Sequence, residues 1–135
     1  YCIIDTSPSL SLLNMNGLVA ADELYIPLKC DGGSLLGVGL VMSVYETVSQ
    51  YNTDLQLGGI FFTQWNGRKN VSKVVYNLMK DKFGKNILPI TIGISKNVEE
   101  CSLAQQALLD YDSSKNKCRV TNDYIELTEY ILNRQ

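Results

Sequence analysis

Short apolar runs alternate along the chain with longer segments whose apolar residues recur every three to four positions. That alternation predicts a parallel α/β sheet rather than separate all-α or all-β domains. The runs predicted as strands are Cys2–Asp5, Leu24–Leu28, Leu57–Thr63 and Leu88–Ile94. Gly58-Gly59-Ile60-Phe61-Phe62 lacks polar alternation, as expected of a strand covered on both faces. Between the strands, Leu40, Val44, Val48 and Tyr51 form one apolar stripe, and Val71, Val74, Val75, Leu78 and Met79 form another. Both stripes are expected to pack on the sheet. Asn70 or Ser72 is placed to cap the second of these helices, and Gly84 to end it. Shorter helices are predicted over Leu10–Val19, Glu99–Leu109 and Asn122–Asn133.

No repeat or linker divides the chain, which reads as a single domain over residues 1–135. The most irregular stretch, Asp110 to Lys117, is polar and turn-rich and reads as a solvated connection between the last two helices. With 45% apolar residues, three prolines and no low-complexity run, the composition is that of a folded chain able to bury a core. The longest apolar stretch, Leu35 to Val44, is interrupted by glycine and is about half of the roughly 20 residues a membrane span needs.

Composition then narrows the chemistry. The chain has no histidine, which excludes serine–histidine and cysteine–histidine catalysis within it. Cys2, Cys30, Cys101 and Cys118 are widely spaced and form no Cys-x-x-Cys pair, so neither zinc nor redox spacing is present. They read as reduced thiols in or near the core. A net charge of −2 argues against a wholesale basic nucleic-acid binder but leaves room for a local basic patch.

The strongest candidate for chemistry is Asp5. An apolar strand that ends abruptly in Asp5-Thr6 is how a Walker B strand ends, with its carboxylate at the edge where parallel sheets bind ligands. An ordinary strand running into a loop is the competing reading. Arg68, Lys69 and Lys73 bracket a predicted helix start, and Lys96 follows a predicted strand end. Their competing reading is solvated surface charge. Gln64 and Ser95 end two successive strands, where polar side chains facing solvent are the plain alternative. Asp31, ahead of Gly32-Gly33, reads as a helix cap in preference to an anion site.

Four ordered blocks resemble the ParA/Soj family of partition ATPases. Ile3-Ile4-Asp5-Thr6-Ser7-Pro8-Ser9-Leu10 resembles that family's strand and Asp-Thr-Pro-Pro-Ser-Leu, with Ser7 in place of a proline. Asn16-Gly17-Leu18-Val19-Ala20-Ala21-Asp22 with Ile26-Pro27-Leu28-Lys29-Cys30-Asp31 matches its next blocks. Thr63 to Ser72 is similar to its Thr-x-x-Asp-x-Arg-Thr-Asn-Leu-Ser, and Ser95-Lys96-Asn97-Val98 to its Pro-Arg-Asn-Val.

The resemblance implies a three-layer, mostly parallel sheet flanked by helices, the carboxyl-terminal portion of a ParA/MinD-like P-loop fold. It also implies that Asp5 holds magnesium through water and that Thr6 senses the γ-phosphate. Gln64 and Ser95 then touch the adenine base. Arg68 and Lys96, with Lys69 and Lys73 beside them, contact DNA phosphates. At Lys96 the family has arginine, so charge is kept and the bidentate fork is lost. The intact protein is expected to bind ATP and magnesium, form a homodimer and hold DNA without sequence preference. A ParB-type partner would stimulate hydrolysis, on the nucleoid, in the cytoplasm.

No Gly-x-x-x-x-Gly-Lys-[Ser/Thr] phosphate loop occurs in the chain, which is therefore expected to be a fragment inactive alone. A non-catalytic interaction module derived from such a protein is the alternative, as is a MinD-like positioning ATPase. The tail Glu126 to Gln135 is too acidic for a MinD-like membrane helix. In the family the phosphate-loop strand lies between the strands matching Cys2–Asp5 and Leu24–Leu28. Its absence predicts that Cys2–Asp5 pairs elsewhere, or that an open edge is left which promotes association.

Overall fold

A computed structural model describes residues 1–6, 11–113 and 118–134. The elements run α1 (Leu12–Val19), β1 (Glu23–Lys29), α2 (Gly32–Val48), β2 (Gln56–Thr63), α3 (Asn70–Phe83), β3 (Ile87–Thr91), α4 (Lys96–Leu103), α5 (Leu108–Ser113) and α6 (Arg119–Leu132). The strands form one parallel sheet in the order β1-β2-β3. The sheet flanked by helices is the parallel α/β arrangement expected from the sequence.

β2 is the central strand, and its alternating side chains enter two cores. Ile60 and Phe62 join Val38 of α2 and Val75 and Met79 of α3 on one face. Phe61 joins Leu88, Ile90, Ile92 and the α6 residues Val120 and Leu127 on the other. The paired glycines of β2 are required by these neighbours. A Cβ on Gly58 would lie 2.5 Å from the ring of Tyr25, and one on Gly59 would lie 2.4 Å from Leu88 Cδ2. The hydroxyl of Tyr25 donates to Glu23 at 2.7 Å, and burial together with that carboxylate raises its pKa to about 12. Both outer strands carry a proline, Pro27 in β1 and Pro89 in β3, where a missing N–H is tolerated; β2 has none.

Three expected strands appear within a few residues of their predicted bounds. The fourth does not: Tyr1–Thr6 is exposed and pairs with no strand among the described residues. A short apolar run keeps extended structure only against a neighbour, and here its contact is with a helix, Ile4 Cγ2 lying 3.3 Å from where a Cβ on Gly17 would be. Among the described residues, no strand pairs with the outer edge of β1. The start of the helix predicted from Leu10, the Ser7 turn and the loop residues 114–117 lie outside the described residues.

The helix faces differ from the expected ones. In α2 the sheet-facing residues are Leu35, Val38, Val41, Met42 and Val48, while Leu40 is 57% exposed and Tyr51, beyond the helix, 78%. So many apolar residues fall between Leu35 and Val48 that period alone does not choose the face. In α3, Val75 and Met79 are buried, whereas Val71, Val74 and Leu78 stay half-exposed because one helix presents only a narrow stripe to a sheet. Lys69 holds the N-cap position without a side-chain bond, so neither Asn70 nor Ser72 caps α3; Gly84 ends it at φ +51°. The single helix expected over Glu99–Leu109 breaks after Leu103. Gln105 turns into the left-handed region and the Gln106 amide returns to the Cys101 carbonyl at 3.0 Å, a Schellman-type stop. α5 then runs through residues expected to be loop.

α4, α5 and α6 are joined by one buried carboxylate. Asp112 accepts from Asn97 Nδ2 at 2.6 Å, from the Cys118 amide at 3.0 Å and from the Thr121 hydroxyl. It is fully buried, and these donors, the Thr121 hydroxyl foremost, hold its carboxyl well below the usual carboxylate range. A lowered folded pKa stabilises the fold above the unfolded value of about 4, and that contribution is lost as pH falls through the folded value. Asp112→Ala is expected to lower the thermal midpoint at pH 7 by about 10 °C. The gap between variant and parent should narrow on acidification from pH 6 to pH 3, as followed by circular dichroism. A gap that is constant or widens towards acid would contradict the ionised, hydrogen-bonded carboxylate.

Candidate functional site

The carboxyl ends of β1, β2 and β3 share one edge of the sheet, where open parallel sheets place their ligands. Main-chain bonds carry the β2–β3 ladder past the strands. The Ile92 amide donates to the Phe62 carbonyl at 2.7 Å, and the Trp65 amide donates to the Ile92 carbonyl at 2.8 Å. The loop after β2 and the loop after β3 are thus fixed to each other. β3 ends at Thr91, short of the expected Ile94, because the chain there leaves the sheet towards α6. Trp65 packs its ring on Phe62 and Tyr76, with centroids 5.9 and 5.6 Å away, which anchors the first loop in the core.

A cavity of about 210 Å³ opens at this edge, lined by Lys29, Cys30, Asp31, Gln64, Lys69, Ser72 and Ile94. Gln64 ends β2 with φ +52°, a conformation uncommon for a side chain larger than glycine, and its carboxamide is exposed. Asp31 caps α2, accepting from the Ser34 amide and hydroxyl at 2.8 Å each; the hydroxyl first and the amide second hold its carboxyl below the usual range. Burial pushes the Cys30 thiol up, outweighing the hydrogen bond of Ser72 that lowers it. Cys30 is therefore a protonated wall and not a nucleophile at neutral pH. A larger, open hollow of about 500 Å³ lies at the opposite end of the strands, between Tyr45, Gln56, Lys85 and Arg134.

Of the residues singled out from the sequence, Gln64 and Lys69 line the smaller cavity, and Ser95 and Lys96 follow directly on its Ile94 wall. Ser95 is the N-cap of α4, its hydroxyl accepting from the Asn97 amide at 3.2 Å, and Lys96 is the exposed first residue of that helix. Arg68 is exposed in the β2–α3 loop, its amide donating to Asn66 Oδ1 at 3.1 Å, and Lys73 is exposed on α3. These four cationic positions occupy the loops and first turns at the same sheet edge. Asp5 and Thr6 are exposed on the amino-terminal segment, outside the three-stranded sheet, and do not line the cavity. Lys29 and Ser72 were missed from the sequence: each reads as an ordinary strand end or helix residue until the strand ends are brought together.

No group of three or more His, Cys, Asp or Glu side chains suited to a metal occurs among the described residues. The carboxamide of Gln64 and the hydroxyl of Ser95 can each both donate and accept a hydrogen bond. Among the described residues, no helix is long and apolar enough to cross a membrane.

The chain is similar to known proteins along its length. A family model described as an AAA domain matches residues 1–57. The chain is 32% identical over 135 residues to the chromosome-partitioning ATPase Soj of Treponema pallidum, covering 99% of this chain and 52% of that protein. It is 30% identical to the chromosome partitioning protein ParA of Myxococcus xanthus, covering 99% of this chain and 47% of that protein. Among solved structures it is similar to cobyrinic acid a,c-diamide synthase of Mycobacterium smegmatis with bound ADP and magnesium. There the TM-score is 0.59 at 33% identity, over 66% of this chain and 37% of that one. The chain spans about half the length of the curated relatives it matches. With matching blocks from Asp5-Thr6 to Ser95-Lys96 and about 30% identity along its whole length, the chain is similar to partition ATPases of the ParA/Soj family.

Proposed function

We propose that the chain supplies the base-binding and DNA-facing edge of a partition ATPase that binds ATP with magnesium, dimerises on it and holds DNA without sequence preference. A ParB-type partner stimulates hydrolysis, and the protein works in the cytoplasm on the nucleoid. The observation that carries this role is the meeting of Gln64, Lys69 and the Ser95–Lys96 turn at the ends of adjoining strands, in a chain about 30% identical throughout to partition ATPases.

Each residue then has a part that its chemistry suits. Gln64 and Ser95 offer donors and acceptors to the rim of the adenine ring. Asp5 would hold magnesium through a water, and Thr6 would sense the γ-phosphate. Magnesium, when bound, offsets phosphate charge as phosphoryl transfer proceeds. Arg68 and Lys96 contact DNA phosphates, with Lys69 and Lys73 adding to the local potential. Lys96 acts as a point charge without a guanidinium fork, so it holds phosphate without fixing its orientation.

Two outcomes are expected. Phosphate affinity in such sites comes mainly from the amides and lysine of a phosphate loop, which this chain lacks. Titration calorimetry of the chain with magnesium–ATP should therefore show dissociation constants of about 1 mM or weaker. Micromolar binding would mean the phosphates sit elsewhere. In the intact ATPase, Arg68→Glu and Lys96→Glu should each weaken binding to unrelated DNA duplexes alike. Each should also flatten the salt dependence by about one charge per lost contact. Unchanged affinity at low salt in both variants would remove these residues from the DNA surface.

A further inference from the structure

The turn that carries Ser95 and Lys96 is held from outside the sheet by two carboxylates far along the chain. At its start, the Gly93 amide donates to Asp123 Oδ2 of α6 at 2.9 Å. A Cβ on Gly93 would lie 3.3 Å from that oxygen and 3.6 Å from Val120 Cγ2, so the glycine is what lets the carboxylate reach the main chain. Asp123 is 13% exposed, and its Oδ1 faces Arg119 Nε one turn earlier at 3.8 Å. At the end of the turn, Asn97 Nδ2 donates to the buried Asp112, while the Asn97 amide donates to Ser95 Oγ. Between these anchors Ile94 and Lys96 point outward.

We propose that Asp123 is a positioning residue: by holding the Gly93 amide it fixes where the Ser95 hydroxyl and the Lys96 ammonium stand at the sheet edge. The inference rests on the role given above to Ser95 and Lys96 and adds the element that sets their position. Ile92 is tied to β2 by its amide and carbonyl, and Asn97 to α5. Between them, among the described residues, the Gly93–Asp123 bond ties this backbone to α6. Removing its acceptor frees the turn to shift by an ångström or so without opening either core. A misplacement of that size costs binding or rate without loss of fold.

The test uses the intact ATPase with Asp123→Leu, which keeps the branched shape and removes the acceptor, and Asp123→Asn, which retains one. Lys96→Glu serves as reference. Amide exchange of Gly93–Asn97 in Asp123→Leu should accelerate by about tenfold or more, while that of Ile60 and Phe62 stays at the parent rate. DNA affinity should fall by about tenfold in Asp123→Leu and stay within about twofold of the parent in Asp123→Asn. If Lys96→Glu weakens DNA binding but Asp123→Leu matches the parent in affinity and exchange, the positioning role is overturned. If Lys96→Glu leaves DNA binding unchanged, the DNA role of the turn fails, and the exchange rates alone decide whether Asp123 holds it. Equal acceleration at Ile60 and Phe62 would make Asp123 a residue of global stability, which also overturns the proposal.

Discussion

Everything else in the fold depends on β2 being covered on both faces and paired on both edges. A strand in that position leaves no room for a polar side chain, and its five central residues, Gly58-Gly59-Ile60-Phe61-Phe62, contain none. The glycines are occupied by their neighbours' side chains, Tyr25 over Gly58 and Leu88 over Gly59, so the centre of the sheet is closed by residues from β1 and β3. Ile60 and Phe62 are each 0% exposed. At about 25 cal/mol per Å² of buried apolar surface, side chains of this size contribute roughly 2 kcal/mol each.

From that constraint the site follows. A buried central strand emerges at its carboxyl end between two neighbours, and the chain must turn there. The turn after β2 uses a left-handed Gln64 and an anchored Trp65; the turn after β3 leaves through Ile92, which is still bonded to β2. The polar and cationic residues at these turns are thus carried on the rigid end of the sheet and not on independent loops. Placement on rigid elements is what a recognition edge needs if its donors are to meet a ring or a phosphate without losing affinity to disorder.

The parts of this arrangement that were legible in the sequence are the local ones. β1, β2 and β3 announced themselves by apolar runs bounded by turn residues, the Asp31 cap by its place before a helix, and Gly84 by its place after one. The strand end at Gln64 and the turn at Ser95–Lys96 were legible because runs stop there. The faces of α2 and α3 were not, since apolar residues exceed what a single stripe can bury and only the packed sheet decides which are covered. The strand expected at Cys2–Asp5 needs a neighbour that local sequence does not supply. Asp112 and Asp123 were invisible for a different reason: the bond from Gly93 to Asp123 spans 30 residues, and an acidic residue inside a polar helix looks like solvated charge until the fold brings an amide to it.

The central question is whether the candidate edge is a continuation of the β2–β3 ladder. Residue-resolved amide hydrogen exchange of the chain addresses this directly. The amides of Trp65 and Ile92 should be protected to within about tenfold of those at the centre of β2, and by orders of magnitude more than those of Tyr1–Thr6. Exchange at Trp65 and Ile92 as fast as in the amino-terminal segment would contradict it, because the turns bearing Gln64, Ser95 and Lys96 would then be independent of the sheet.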